Sequence, residues 1–217
     1  MAAPRDRLRR ALRTPYNRGR DRNRLKGNLS MSADQAAARD IMVDSQVRPS
    51  DVPDLAIQDA MRHVAREALL GADKQALAYA DTEVEYAPGR WMLRPRDVAK
   101  LLCGLHPRAG ETALAISSPY AAAVLRAMGL TVSQSDASDA VAGSFDVIVC
   151  EGAVAAPPAA WRAALAAGGR LGAIERAGPV GHAVLSVRAG EGVGTRILFD
   201  CTPPMMAGFE PAAAFAF

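Results

Sequence analysis

What most limits the fold of this chain is the texture that begins after Gly110, where short runs apolar on both faces alternate with helical stretches and then the alternation stops. TALAIS (112–117), a helix AAAVLRAMG (121–129), LTVSQ (130–134), DVIVCEG (146–152), a helix PAAWRAALAAGG (158–169) and RLGAIE (170–175) follow in order. A strand with no polar face must be covered on both sides, and intervening helices supply the cover. This order therefore predicts a mostly parallel α/β sheet with right-handed crossovers. HAVLSVR (182–188), the link AGEGVG and TRILFD (195–200) break the rule. So short a link cannot carry a parallel crossover, and the two runs are expected to end the sheet as an antiparallel hairpin. Gly190 to Gly194 is then a hairpin loop and not a phosphate cradle, because no helix follows it.

Upstream, Ala38, Ile41 and Met42, and after the break at Pro49 and Pro53 also Leu55, Ile57, Ala60, Met61, Val64 and Leu69, recur near helical spacing. Asp51 or Asp54 can cap the second of these helices. Residues 76–92 read as an irregular segment with short strands, and Arg96 to Leu105 as a helix ended by Gly104 and Pro107. The expected organisation is a disordered basic extension (1–30), a helical N-terminal region (31–107) and an α/β core with the C-terminal hairpin (108–217), with Met31 a candidate second start. Charge follows the same division: residues 1–30 hold nine Arg and one Lys against two acidic residues, leaving 16 basic and 21 acidic residues in the rest. The formal charge of +3 thus belongs to the extension alone, and with only Tyr16 as an interleaved aromatic a nucleic-acid partner is not expected. Cys103, Cys150 and Cys201 form no C-x-x-C pair and there are three histidines, so no metal site is expected and the cysteines read as small buried hydrophobes. With no apolar run of membrane length and no signal-peptide pattern, a cytoplasmic location without membrane contact is expected.

A parallel sheet finished by an antiparallel hairpin is the layout of class I S-adenosylmethionine methyltransferases, Rossmann-like folds, here shortened by about one strand-helix unit. Several segments resemble one family in particular. Met42-Val43-Asp44-Ser45-Gln46-Val47-Arg48-Pro49 is similar to an M-V-x-x-Q-L-R signature, and Ala60 to Glu67 (AMRHVARE) to an A-M-x-x-V-P-R-E/H helix with Ala65 at the proline. Ala78-Tyr79-Ala80-Asp81 resembles A-Y-x-D, Gly89 to Ala99 a G-Q-T-I-S-Q-P-x-x-V-A segment, and Phe145 to Val154 and Leu165 to Leu171 two later strand motifs. These are motifs of the protein-L-isoaspartate O-methyltransferase family, and the resemblance spans about residues 36–210. It implies methyl transfer from S-adenosylmethionine to L-isoaspartyl carboxylates of damaged proteins, the first step of their repair, with isoaspartyl-containing proteins or peptides as partners.

The departures fall at chemically sensitive places. Where the family has an acidic, glycine-rich turn E-I-G-x-G-x-G-Y, this chain reads Ala115-Ile116-Ser117-Ser118-Pro119-Tyr120. Ser117, Ser118 and Tyr120 are the candidate cofactor contacts there, and a serine-rich turn capping the following helix explains them equally well. Only fifteen residues (131–145) separate the second strand from Asp146, so Asp136 is the candidate for the ribose hydroxyls, or else a solvated loop residue. Glu151, ending its strand at the carboxyl edge, is a further cofactor candidate, or a cap for the helix after Pro157. The family's hydroxyl near the methyl-accepting carboxylate is replaced by Leu93, which can neither hydrogen-bond nor polarise, so no catalytic residue is assigned. Arg90, Arg94 and Arg96 are candidate contacts for an anionic substrate, or a solvated basic face. The same departures leave a second expectation open, a catalytically degenerate member serving as a binding or scaffold module.

Overall fold

The structure is a computed structural model in which residues 33–211 are described. The expected extension at 1–30 lies outside them. Of the described residues, those from Ala36 onward form one compact unit.

Helical residues 36–42 (α1) run into a π-helical turn, Val43–Val47. After Pro49 and Pro53 comes α2 (Leu55–His63), and of the two cap candidates it is Asp54 that serves, accepting hydrogen bonds from the backbone N–H of Ala56 (2.9 Å) and Ile57 (3.3 Å). Replacing Asp54 by alanine should lower the unfolding free energy by about 1 kcal/mol in a urea titration, because those two donors lose their acceptor. The helical pattern expected to reach Leu69 stops at His63, and Arg66–Leu69 is a 3₁₀ turn. A small hairpin follows, β1 (Val84–Ala87) and β2 (Arg90–Met92), in the segment read as irregular with short strands.

Helix α3 (Pro95–Leu105) is not stopped by Gly104: the glycine lies inside it, and His106 ends it in a left-handed conformation (φ 46°). Gly104 has a packing role instead, since a Cβ there would stand 2.5 Å from Leu198 Cδ1.

The main sheet has the order β4-β3-β5-β6-β7-β8, built from β3 (Thr112–Ile116), β4 (Thr131–Ser135), β5 (Phe145–Val154), β6 (Leu165–Glu175), β7 (His182–Ala189) and β8 (Gly192–Asp200). The first four are mutually parallel, and β7 and β8 are antiparallel, as the alternation of runs predicted. The terminal hairpin turns at Gly190 (φ 59°) and Glu191, and Gly192 and Gly194 already belong to β8. Helix α4 (Pro119–Ala127) links β3 to β4, whereas 136–144 carry the chain from β4 to β5 with neither helix nor strand.

One expectation fails between β5 and β7. The helix expected over 158–169 is only α5 (Ala159–Ala163), and β6 begins already at Leu165. Two glycines account for the change: Gly168 adopts φ 74°, and a Cβ on Gly169 would lie 2.8 Å from the Phe145 carbonyl oxygen. Here the strand pairing slips from Phe145↔Leu165 to Val147↔Arg170, a bulge that a helix-favouring run of alanines does not announce.

Alternation along the strands divides the core. Ala113, Ala115, Val147 and Val149 share one apolar cluster with Met42, Ile57, Met61, Leu101, Leu102 and Leu105, while Leu114, Ile116, Ile148 and Cys150 share another with Trp161 and Met206. The helical N-terminal region and the sheet therefore share a common core. Cys150 and Cys201 are buried, Cys103 is half-buried, and all three are free thiols. No helix among the described residues is long and apolar enough to cross a membrane.

Candidate active site

Strand β3 is flanked by β4 on one side and β5 on the other, so the chain's direction of winding reverses between β3 and β5. The crevice at the carboxyl ends of such strands is where open α/β sheets bind ligands. Four of the residues singled out in the sequence, Ser117, Ser118, Tyr120 and Asp136, lie at or just beyond the ends of β3 and β4. Glu151, expected to end its strand, instead lies inside β5, one residue past the Cys150 that pairs with Ile116, and the strand continues to Val154.

Ser117 adopts φ 46°, the left-handed conformation that glycine takes without cost, so the turn keeps a glycine-like backbone shape despite its side chain. Its backbone N–H donates to the Ser135 carbonyl (2.9 Å), and its hydroxyl donates to Asp136 Oδ2 (3.1 Å) while accepting from the Ala137 N–H (2.9 Å). Asp136 is not a free loop residue. Arg90 grips it with two bonds, Nε to Oδ2 (2.8 Å) and Nη2 to Oδ1 (2.7 Å), and Ser138 adds its hydroxyl (2.7 Å) and N–H (3.1 Å). The Arg90 guanidinium above all, with these hydroxyls, holds the Asp136 carboxyl well below the usual carboxylate range.

Ser118 occupies the N-cap position of α4 but does not cap it. Its hydroxyl donates to the Ile116 carbonyl (2.7 Å) and accepts from the Glu151 N–H (2.5 Å), stitching β3 to β5. Glu151 takes over the capping: Oε1 accepts from the Ala121 N–H at 2.6 Å, and Oε2 accepts from the Leu93 N–H at 3.3 Å. It caps α4, then, and not the helix after Pro157. The side chain is fully buried, and desolvation raises its pKa to about 7 in spite of the nearby Arg66 charge and the backbone donors, which lower it.

Arg66, for which the sequence suggested no role, completes this cluster. It is fully buried, its Nη2 donates to the Leu93 carbonyl (2.6 Å), and its guanidinium lies 4.5 Å from the centroid of the buried Tyr120 ring. Nε and Nη1 of Arg66 and the Tyr120 hydroxyl have no partner among the described residues. The visible signal was a charged residue at the end of an apolar pattern inside the AMRHVARE motif, but periodicity alone does not say that it turns inward.

Leu93 is completely buried, with its backbone shared between Arg66 and Glu151. The three candidate substrate arginines do not form an open basic face. Arg90 is committed to Asp136, Arg94 to Glu83 (2.7 Å) and Asp97 (3.7 Å), and Arg96 to Asp81 (2.9 Å). The structure gathers Arg90 with the candidate cofactor residues and leaves Arg94 and Arg96 in ion pairs with residues before β1 and in α3. Among the described residues no group of three His, Cys, Asp or Glu side chains could hold a metal ion.

A parallel sheet in the order β4-β3-β5-β6 closed by an antiparallel hairpin, with polar groups gathered at its winding reversal, defines a class I methyltransferase fold. Solved structures agree: one described as a protein-L-isoaspartate O-methyltransferase from Plasmodium falciparum, in complex with S-adenosyl-L-homocysteine, superposes with a TM-score of 0.64 at 15% identity, covering 77% of this chain and 97% of that one. Another protein-L-isoaspartate O-methyltransferase gives 0.64 at 16% identity, covering 80% of this chain and 67% of its own. In sequence, a protein-L-isoaspartate O-methyltransferase of Methylorubrum populi is 33% identical over 62% of this chain and 78% of its own length. Protein-L-isoaspartate O-methyltransferase 1 of Rhodopseudomonas palustris is 36% identical over 61% of this chain, which spans half of that relative. No family model matches the chain. The chain belongs to the protein-L-isoaspartate O-methyltransferase family.

Proposed function

We propose that the protein is an S-adenosylmethionine-dependent carboxyl methyltransferase acting on L-isoaspartyl residues in proteins or peptides. The observation that carries this reading, beyond family membership, is Asp136 at the end of β4, its carboxylate partly exposed and joined through Ser117 to the turn after β3. A carboxylate in that position suits the two hydroxyls of a ribose. The left-handed Ser117 gives the turn the backbone course that close approach of a nucleoside needs.

When bound, S-adenosylmethionine supplies a sulfonium-activated methyl group for in-line displacement by the acceptor carboxylate. The chain's own residues would position and enclose. Asp136 and Ser117 would hold the ribose end, while Ser118 and Glu151 fix the end of β3, the middle of β5 and the start of α4 against each other. Leu93 offers no hydroxyl, so alignment of the reactants and not polarisation of the acceptor would have to supply most of the acceleration. Arg90, Arg94 and Arg96 would attract the acceptor's negative charge by exchanging one carboxylate partner for another.

The test is ligand-induced stabilisation. S-adenosylhomocysteine at 100 times its dissociation constant adds about 2.7 kcal/mol, which for a chain of this size raises the melting temperature by roughly 5–10 °C. An analogue lacking both ribose hydroxyls should bind roughly 100- to 10,000-fold more weakly, because each of the two hydrogen bonds to a charged carboxylate contributes about 1.5–3 kcal/mol. No stabilisation by either compound at millimolar concentration would overturn the cofactor reading.

A further inference from the structure

The segment after β8 returns across the carboxyl end of β5. Met205 forms a parallel bridge with Ala153, the Met206 N–H donates to the Ala153 carbonyl (2.9 Å), and the Ala155 N–H donates to the Phe209 carbonyl (2.8 Å). Met206 is completely buried. A Cβ on Gly152 would stand 2.6 Å from Met206 Cγ and 2.8 Å from its sulfur, so the methionine lies directly on the glycine that follows Glu151. Its apolar cluster includes Ile116 at the end of β3, Ala137 just past β4 and Cys150, the β5 residue that pairs with Ile116.

The same segment is fastened to the opposite wall. The Ala207 N–H donates to the Gly89 carbonyl (3.2 Å), and Arg90 Nη1 donates to the Ala207 carbonyl (3.1 Å). Arg90 is also the residue that grips Asp136, so one guanidinium holds both the candidate ribose acid and the returning segment. Phe209, further along, sits 6.0 Å from Trp161, ring centre to ring centre.

We propose that Met205–Phe209 is an autoinhibitory strap, with Met206 as its plug and Arg90 as its latch, that must lift from β5 before the crevice accepts a nucleoside cofactor. This inference rests on the cofactor reading proposed for Asp136. Ribose hydroxyls taking Asp136 release Arg90, and the Ala207 carbonyl loses its charged donor in the same event. Ligand binding and strap release are therefore one equilibrium, and the apparent affinity of the closed chain is reduced by the fraction of time the strap is open.

The test compares S-adenosylhomocysteine binding, by calorimetry, to the wild-type chain and to Met206→Ser, which removes the apolar plug. Ala207→Pro, which deletes the N–H donated to Gly89 without touching the core, is the second variant in case the first does not fold. Either variant should bind at least tenfold more tightly than wild type, and in the wild type the ligand should speed amide exchange at Met206 and Ala207. Equal or weaker binding by the variants, or slowed exchange at those amides, would overturn the strap. If neither wild type nor variant binds, the cofactor reading fails and the inhibitory role falls with it, an outcome distinct from equal binding.

Discussion

Arg66→Met should lower the free energy of unfolding by roughly 1–3 kcal/mol at neutral pH, although the replacement has similar bulk and greater hydrophobicity. The loss comes from what the guanidinium leaves behind. Its Nη2 is a close donor to the Leu93 carbonyl, and its charge is the main influence holding down the pKa of the fully buried Glu151. Without it the Leu93 carbonyl is a buried acceptor left unpaired, while Glu151, whose pKa of about 7 leaves it half-protonated at neutral pH, takes up a proton at little cost. The unpaired Nε and Nη1 do not soften this expectation, since the cost is set by the partners that remain. Urea denaturation at pH 7 measures it. A loss below about 1 kcal/mol, the scale of an ordinary solvated contact, would mean that Arg66 is more solvated than its complete burial indicates.

Glu151 should give the fold a distinctive pH dependence. Its pKa in the folded chain is about 7, against an ordinary value of 4.5, so between those values the folded state holds a proton that the unfolded state has released. Stability from this group is fully present below the unfolded pKa and declines as pH rises through the interval. It levels off above the folded pKa, a total fall of roughly 3 kcal/mol. The direction is opposite to that of a salt-bridged carboxylate such as Asp136, whose contribution is lost on acidification. Denaturation at pH 5, 6, 7 and 8 for wild type and Glu151→Gln isolates the effect, because the amide cannot ionise. Wild type should lose stability relative to the variant steadily as pH rises. A difference independent of pH would show that Glu151 is ionised throughout.

The sheet was legible because its signal is physical and local. Runs apolar on both faces mark strands covered on both sides, and a link as short as Gly190–Glu191 permits only a hairpin. The end of α5 was illegible for an equally physical reason. Leu165 to Ala167 have helix-favouring composition, and the bulge that makes them strand is set by two backbone positions, Gly168 and Gly169, whose conformations depend on pairing with Phe145. At the site, residue types and order pointed to the strand ends, and Ser117, Ser118, Tyr120 and Asp136 lie at or beyond the ends of β3 and β4, while β5 continues past Glu151 to Val154. Partnerships were not readable. That Arg90 closes on Asp136, that Glu151 and not Ser118 caps α4, and that Arg66 turns inward are long-range facts, spanning 46, 30 and 27 residues of chain. Met206 gave no pattern to read, since the second of two methionines after Pro203 and Pro204 is indistinguishable from a surface residue until Gly152 is known to lie beneath it.

The most direct test of the central claim is transfer of a labelled methyl group from S-adenosylmethionine to a peptide containing a single L-isoaspartyl residue, set beside the same peptide with ordinary aspartate. The proposed function predicts a base-labile methyl ester on the isoaspartyl peptide alone, formed faster by Met206→Ser than by wild type when cofactor is below saturation. Equal labelling of both peptides would contradict the substrate assignment. No labelling of either, by wild type or by the strap variant at millimolar cofactor, would contradict the claim that this member of the family is a methyltransferase.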